Sequence, residues 1–287
     1  MYPDEIDYVA PGSLEEALDA LADDPGARVL AGGQSLVPLL KLRLATPGRL
    51  VDLRRLDELR YVRREDGAVE IGALAPHARV AGSGELSGGA RAMRRAAASV
   101  GDVQVRNMGT LGGSLAHADP SADLPAAALA LEATLVARGP DGEREIPAEE
   151  FFLGLWTTAL RPGEILTAVR FDVPEASRGA YAKLEHRASG FALVGAAAVL
   201  ELEGDGCRDA RVALTGAGSV PLRLPEVEEA LAGSELDEAS VEAACAGAGE
   251  AVESPQDDLQ GSAAYRRAMS GVMAKRAVLE AAGRGAA

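Results

Sequence analysis

The first part of the chain changes between helical and extended spacing of its apolar residues. Leucines recur on one face of a helix over residues 13–23, which the sequence Ser-Leu-Glu-Glu opens as a capping box. Two short apolar strands, 28–31 and 50–53, flank a glycine pair and a second helix that Ser35 caps. This order predicts a small β-α-β unit as a first lobe, residues 1–55.

Strands closed by tight turns dominate the next part of the chain. Asp66-Gly67 separates the runs 59–62 and 69–71, and Pro140-Asp141-Gly142 separates two further runs, so each turn predicts a β-hairpin. The elements predicted between the hairpins are a basic helix over 90–100, a glycine-rich stretch over 107–114 and an alanine-rich helix over 124–131. We therefore predict an antiparallel sheet with helices as a second lobe, residues 56–174.

The last part of the chain combines a strand meander with helices. Three strands, the last two joined by a turn at Asp205-Gly206, precede three amphipathic helices. These six predicted elements are, in order, 180–185, 192–202, 211–214, 226–231, 238–252 and 262–282. Residues 175–287 are therefore predicted to form a third lobe of a meander and a helix bundle, and the whole chain an α+β protein.

Composition and charge narrow the classes of protein that the chain can represent. Acidic residues number 44 and basic residues 29, which gives a net charge of −15, and 47% of the residues are hydrophobic. Such a folded acidic protein lacks the basic surface that nucleic-acid binding requires. No apolar run reaches the roughly 18 residues of a membrane span, and residues 1–10 lack the pattern of an export signal. We expect a cytoplasmic protein with no nucleic-acid partner and no membrane span.

Cysteine and histidine usage argues against a metal or a cluster on this chain. Cys207 and Cys245 are the only two cysteines, and their spacing fits neither a zinc knuckle nor a cluster-binding run. His77, His117 and His186 are too scattered to form an evident metal set, so we interpret them as structural or surface residues. The chain therefore cannot hold an iron–sulfur cluster by itself.

Two glycine-rich turns are the strongest candidates for a binding site. Ala31-Gly32-Gly33-Gln34-Ser35 and Gly109-Thr110-Leu111-Gly112-Gly113-Ser114 each offer consecutive backbone N–H groups and a hydroxyl, and together they could bind one pyrophosphate. Each could instead be an ordinary turn. Neither matches the G-x-G-x-x-G of a Rossmann fold or a P-loop with its lysine, so nucleotide binding would require another architecture.

The polar residues that follow the second turn allow more than one interpretation. Asp119 and Asp123 could cap the next helix, and Asp123 could instead accept a hydrogen bond from a sugar hydroxyl. Lys183 lies on a predicted strand, where a lysine is normally a solvated edge charge. No Gly-x-Ser-x-Gly elbow occurs and Cys207 has no obvious histidine partner, so no motif supports a hydrolase.

Three segments together carry a family resemblance. They are Ala31-Gly32-Gly33-Gln34-Ser35-Leu36-Val37-Pro38, the segment from Arg106 to Asp123, and Tyr181-Ala182-Lys183 with Arg187. In these segments the chain resembles the flavin-binding medium subunit of the molybdenum hydroxylases, the family of aerobic carbon monoxide dehydrogenase and xanthine dehydrogenase. The resemblance extends over nearly the whole chain and implies a PCMH-type FAD-binding fold, with FAD in a cleft between the first two lobes.

The resemblance also assigns individual residues to the cofactor. It implies that both turns hold the FAD pyrophosphate through backbone N–H groups and hydroxyls, that Asp123 and Lys183 contact the cofactor, and that Leu166 lies near the flavin ring. Gly101 falls in the segment that passes the ring, and Ser114 replaces an asparagine that is frequent in the family. The predicted cofactor-binding residues are Ala31, Gly32, Gly33, Gln34, Ser35, Gly101, Thr110, Leu111, Gly112, Gly113, Ser114, Asp123, Leu166 and Lys183.

The family divides its chemistry among subunits. A large partner carries the molybdopterin site, a small partner carries two two-iron two-sulfur clusters, and the flavin subunit passes electrons to an acceptor such as NAD, oxygen or quinone. The resemblance implies an oxidoreductase subunit without catalytic residues of its own, in a dimer of heterotrimers. Two alternatives are a stand-alone FAD-dependent oxidoreductase of the same fold, for which no poised acid or base is visible, and a non-catalytic assembly subunit with an acidic docking surface.

Overall fold

The N-terminal lobe is a parallel sheet with two helices. A computed structural model describes residues 2–204 and 206–284. The lobe contains β1 (Asp7–Val9), α1 (Leu14–Ala22), β2 (Arg28–Leu30), α2 (Leu36–Lys41) and β3 (Arg49–Asp52). The strand order β1-β3-β2 confirms the predicted β-α-β unit and adds β1, which is too short and too polar to show an apolar pattern.

The two helices of this lobe begin in different ways. The Ser13 hydroxyl accepts a hydrogen bond from the Glu16 N–H (3.2 Å), and the Glu16 carboxylate accepts one from the N–H of Gly12 (2.7 Å). The predicted capping box is therefore present, but its second hydrogen bond comes from Gly12 instead of Ser13. Ser35 was expected to cap α2. Its side chain makes no capping hydrogen bond, and its backbone is already helical, so this expectation was wrong.

An antiparallel sheet forms the centre of the second lobe. The strands are β4 (Val62–Glu65), β5 (Ala68–Gly72), β6 (Thr134–Gly139), β7 (Gly142–Pro147), β8 (Phe152–Gly154), β9 (Thr157–Thr158) and β10 (Ile165–Asp172). Five of them are ordered β4-β5-β10-β6-β7, and both predicted hairpins are confirmed. The first hairpin begins later than predicted, because Leu59 belongs to a 3₁₀ turn before β4.

Helices cover this sheet and connect it to the third lobe. They are α3 (His77–Gly82), α4 (Arg91–Ser99), α5 (Val103–Met108), α6 (Leu111–His117), α7 (Leu124–Ala130) and α8 (Ala148–Phe151). Every residue of α7 is buried, and the helix packs against α4 and against three strands of the third lobe. Its alanines allow this close packing, so the second and third lobes share one apolar core.

The third lobe is a four-stranded sheet covered by three helices. Its elements are β11 (Ser177–Glu185), β12 (Ala192–Glu203), β13 (Gly206–Thr215), β14 (Leu222–Arg223), α9 (Pro225–Leu231), α10 (Glu238–Cys245) and α11 (Ala263–Ala281). The predicted meander is confirmed and gains β14, while Asp205 of the predicted turn lies outside the described residues. The helix predicted to end at residue 252 ends at Cys245, and a β-carbon on Gly249 would lie 2.3 Å from the Arg267 carbonyl oxygen.

The short hairpin of β8 and β9 exposes large apolar side chains. Leu153, Leu155 and Trp156 project from its tip, and Trp156 has a φ of +52°, which is unusual for a bulky residue. The base of the hairpin is held firmly, because the N–H of Ala159 donates to the Phe151 carbonyl (2.9 Å). Strand β9 contacts α6, so the hairpin lies beside the helix that begins at the second glycine-rich turn.

Candidate cofactor site

The fold brings the two glycine-rich turns into direct contact. A β-carbon added to Gly32 would lie 2.2 Å from the Met108 carbonyl oxygen and 2.6 Å from the Gly109 α-carbon. A β-carbon on Gly113 would lie 3.5 Å from that of Ala31. Only glycine permits this approach at position 32, so the two turns, distant in sequence, form one surface.

The first turn presents unused hydrogen-bond donors. Within residues 2–204 and 206–284, no hydrogen bond engages the backbone N–H groups of residues 32–36. Gly33 has a φ of +71°, which turns the chain so that these groups follow one another around a tight curve. Consecutive N–H groups of this kind bind anionic oxygens, so the first turn fits one end of a pyrophosphate.

The second turn differs from the prediction because it is the first turn of α6. The Thr110 side chain caps this helix, and the N–H groups of residues 111–114 all donate within the protein. Their acceptors are, in order, Ala75 O (3.0 Å), Ala73 O (2.8 Å), Thr110 Oγ1 (3.1 Å) and Thr110 O (3.0 Å). These four donors are therefore engaged within the protein, unlike the free N–H groups expected of the cradle, and the turn offers the Thr110 N–H and the hydroxyls of Thr110 and Ser114 as its polar groups.

The cap at Thr110 gives a first testable prediction. Replacing Thr110 with valine preserves its shape but leaves the Gly113 N–H without its acceptor, whereas serine keeps the oxygen. We expect Thr110→Val to lower the free energy of unfolding by about 1 kcal/mol and Thr110→Ser to stay close to wild type. Urea titration of the three proteins measures the difference, and equal midpoints for valine and serine would contradict the cap.

Asp123 and Lys183 form a buried ion pair at the junction of the second and third lobes. The Lys183 ammonium lies 2.9 Å from Asp123 Oδ1 and 3.0 Å from Oδ2, and both side chains are at most 6% exposed. Tyr181 donates its hydroxyl to Asp123 Oδ1 (2.7 Å). The interpretation of Lys183 as a solvated edge charge was therefore wrong, although β11 is an edge strand.

Burial dominates the electrostatics of this pair. It raises the pKa of Asp123 to about 6, and the charge of Lys183 opposes the shift. The pKa of Tyr181 is raised well above its usual value, first by burial and then by the neighbouring carboxylate. Asp123 is thus ionised at neutral pH, paired with Lys183 and accepting from Tyr181. It caps no helix, while Asp119 accepts from the Ser121 N–H (2.8 Å) in a turn.

The ion pair also holds the segment that contains Gly101. Lys183 donates to the Ser99 carbonyl at the end of α4 (2.8 Å), and Gly101 follows with a φ of +42°. A β-carbon on Gly190 would lie 3.3 Å from the Gly101 α-carbon, so the loop after β11 packs on the same segment. Asp123, Lys183 and Gly101 are therefore neighbours in the structure, as members of one site must be.

Leu166 lies at the other side of the second turn. It is buried in β10 at an irregularity in the pairing with β6, and the next residue, Thr167, accepts from the Ala73 N–H (2.8 Å). Ala73 in turn contacts Gly112, whose β-carbon would lie 2.5 Å from that of Ala73. Leu166 therefore belongs to the strand that contacts Ala73 and, through Ala73, the second turn.

Neither cysteine is suited to a metal or to redox chemistry. Cys207 and Cys245 are free and buried in the third lobe, and burial raises their pKa values to about 11 and about 12. In the described part of the chain, no group of three or more histidine, cysteine or acidic side chains could hold a metal ion. Among the same residues, no helix is both long and apolar enough to cross a membrane.

Comparison with known proteins agrees with this geometry. Residues 4–175 match the family model "FAD binding domain in molybdopterin dehydrogenase", and residues 179–281 match "CO dehydrogenase flavoprotein C-terminal domain". The carbon monoxide dehydrogenase medium chain of Afipia carboxidovorans is 40% identical over 99% of both chains. The glyceraldehyde dehydrogenase medium chain of Sulfolobus acidocaldarius is 36% identical over 98% of this chain and all of its own.

Solved structures show the same fold over the full length. A chain of Cu,Mo-CO dehydrogenase in its cyanide-inactivated form superposes with a TM-score of 0.94 at 39% identity, covering 99% of this chain and 100% of that one. A chain of quinoline 2-oxidoreductase from Pseudomonas putida 86 gives 0.91 at 36% identity, covering 99% of each. These matches define a flavoprotein with an α+β FAD-binding fold, as predicted. The chain belongs to the family of FAD-binding medium subunits of the molybdenum hydroxylases.

Proposed function

We propose that the chain holds FAD at the paired turns and passes electrons from a partner's two-iron two-sulfur clusters to an external acceptor. The observation that carries this proposal is the row of unused N–H groups at residues 32–36, in contact with the second turn. When bound, FAD supplies the electron chemistry, since its ring system accepts and releases electrons. The protein's own task is to bind and orient it.

The residues of the chain take different parts in this site. Ala31 to Ser35 would bind pyrophosphate oxygens through the backbone, and the hydroxyls of Thr110 and Ser114 would add side-chain contacts. Gly112 and Leu111 serve by letting α6 pack closely on the sheet. Gly101, Leu166, Asp123 and Lys183 would surround the rest of the cofactor, with the ion pair holding the Gly101 segment in place.

The partners proposed for the chain are those of its family. The two free buried cysteines support a small iron–sulfur subunit as the electron donor, because this chain offers no cluster ligands among its described residues. A large molybdopterin subunit would oxidise the substrate, and the complex would be a cytoplasmic dimer of heterotrimers. NAD, oxygen and quinone are the candidate acceptors.

Purification of the chain with its native partners tests this function. We expect one FAD per chain by absorption and by release of the cofactor, together with iron, acid-labile sulfide and molybdenum in the same particle. A complex whose medium chain contains no FAD, and cannot be reconstituted with it, would contradict the proposal. A chain that binds FAD and turns over a substrate without partners would favour the stand-alone oxidoreductase.

The electron acceptor can be determined on the same particle. Flavin reduced through the complex is mixed in a stopped-flow instrument with NAD, oxygen or a soluble quinone, and the return of oxidised flavin absorbance is followed. The physiological acceptor is expected to reoxidise the flavin at least about as fast as the complex turns over. An acceptor that reacts more slowly than turnover is excluded.

A further inference from the structure

His77 is a buried polar residue that no other part of the site explains. It is the first residue of α3, is 4% exposed, and its Nδ1 atom has no hydrogen-bond partner within the described residues. A buried nitrogen without a partner is costly, and an apolar side chain would avoid that cost. The contacts of the ring must therefore explain why a histidine occupies this buried position.

The His77 ring lies directly beneath the contact between the two turns. Its backbone N–H donates to the Gly109 carbonyl (3.0 Å), and a β-carbon on Gly109 would lie 2.9 Å from both Cδ2 and Nε2 of the ring. Gly109 is also the residue whose α-carbon faces Gly32. The imidazole, Gly109 and Gly32 thus form a stack joined by two close contacts, and the stack ends at the unused N–H groups of the first turn.

We infer that His77 is a positioning residue of the cofactor site, whose neutral ring holds Gly109 against Gly32 and whose protonation releases this contact. The inference rests on the proposed cofactor site. The ring touches no free N–H group of the first turn, so it acts through the backbone of Gly109. A charged imidazole is disfavoured in this packed position, where the side chain is only 4% exposed, and movement of the second turn away from the ring would bring more of it into water.

The surroundings of the ring offer no compensating charge. Burial alone lowers the pKa of His77 to about 4. The helices packed against α3 are α4 and α5, and the charged side chains on α3, on these two helices and at the α5 cap are Arg79, Arg91, Arg94, Arg95, Asp102 and Arg106. Arg95 pairs with Glu280, Arg106 donates to the carbonyls of Val100 and Gly101, and Asp102 caps α5.

The direction of the pH dependence follows from this shift. A histidine whose folded-state pKa is lowered contributes stability that is complete above its unfolded value, near 6.5, and is lost as the pH falls towards 4. One proton is taken up, so the FAD dissociation constant can rise by at most about tenfold per pH unit in this range. With a pKa near 6.5 when the contact is released and about 4 when it is closed, we expect an increase of about threefold to fifteenfold between pH 6.5 and pH 5.

The test compares FAD dissociation constants of full-length wild type, His77→Leu and His77→Gln from pH 8 to pH 4.5, using the fluorescence of released FAD. Asp123, with a pKa of about 6, titrates in the same range in all three proteins, so only the difference between curves reports on His77. Val80→Ala serves as the control, since it weakens the core of the same helix without touching Gly109.

We expect both His77 variants to bind FAD more weakly than wild type at pH 8. Below pH 6.5 their FAD dissociation constants should rise much less than that of wild type, because they lack the titrating imidazole. Val80→Ala should keep the wild-type pH dependence even where its stability is lower. Identical pH dependence in wild type and both His77 variants would overturn the inference. Wild type that binds no FAD at pH 8 would contradict the proposed function, and this inference with it.

Discussion

Replacing Gly32 with alanine is expected to remove stoichiometric FAD from the chain. The new β-carbon would lie 2.2 Å from the Met108 carbonyl oxygen and 2.6 Å from the Gly109 α-carbon, so it meets backbone that cannot rotate away. The two turns must then separate. Overpacking of this kind costs about 1–3 kcal/mol, and the upper value corresponds to a roughly 100-fold weaker affinity for FAD.

Titration of cofactor-free protein with FAD measures this effect, and Gly84→Ala provides a matched control. A β-carbon at position 84 has nothing within 4 Å, and the residue does not adopt a left-handed conformation. The control should bind FAD like wild type. Wild-type affinity in Gly32→Ala would mean that the contact between the turns does not form the site.

Removal of the Lys183 charge is expected to cause the largest loss of stability. In Lys183→Met the Asp123 carboxylate stays buried and keeps only the Tyr181 hydroxyl. Breaking a buried ion pair in this way costs about 3–5 kcal/mol. Urea unfolding of the cofactor-free chain at pH 8 measures the loss. Lys275→Met, which removes an ammonium from the exposed Glu238 and Glu242, should cost less than about 1 kcal/mol.

The pH dependence of this variant has a definite sign. Asp123 is an acid whose pKa is raised in the folded protein, so its contribution to stability is complete below 3.8 and is lost as the pH rises through about 6. Without Lys183 the pKa rises further. The stability difference between wild type and Lys183→Met should therefore be largest at pH 8 and shrink as the pH falls.

A double variant separates the buried charge from simple loss of packing. Asp123→Asn with Lys183→Met removes both charges and keeps an oxygen that can accept from Tyr181. We expect it to recover at least about half of the stability lost in Lys183→Met. A double variant no more stable than the single one, or a single variant within about 1 kcal/mol of wild type, would show that the ion pair is not the source of the effect.

Local signals in the sequence were sufficient for the elements that depend on local chemistry. The capping box at Ser13 and the turns at residues 66–67 and 140–142 fix helix and hairpin positions through neighbouring atoms, and each is present. Strands β1 and β14 could not be predicted, because their pairing partners, not their own residues, make them strands. The early end of α10 likewise depends on the close packing of Gly249 against α11.

The sequence was sufficient to predict which segments form the candidate site, but not which of their N–H groups are free to bind a ligand. Both glycine-rich turns were identified, yet only the structure shows that residues 32–36 keep their N–H groups free while residues 111–114 use theirs internally. Lys183 points inward and Tyr181 donates a hydrogen bond to Asp123, and both features depend on contacts between the second and third lobes. His77 gave no signal in the sequence, because a lone histidine shows neither its burial nor what its ring supports.

The exposed hairpin tip gives the chain a built-in optical reporter. Trp156 is the only tryptophan among 287 residues, is 62% exposed, and belongs to the hairpin whose second strand contacts α6. All indole emission of the isolated chain therefore comes from one solvated position next to the second turn. Coverage of the tip by a partner subunit would shift that emission to shorter wavelengths, and energy transfer to a bound flavin would quench it. Cofactor loading and subunit assembly can thus be followed in real time on the unlabelled protein.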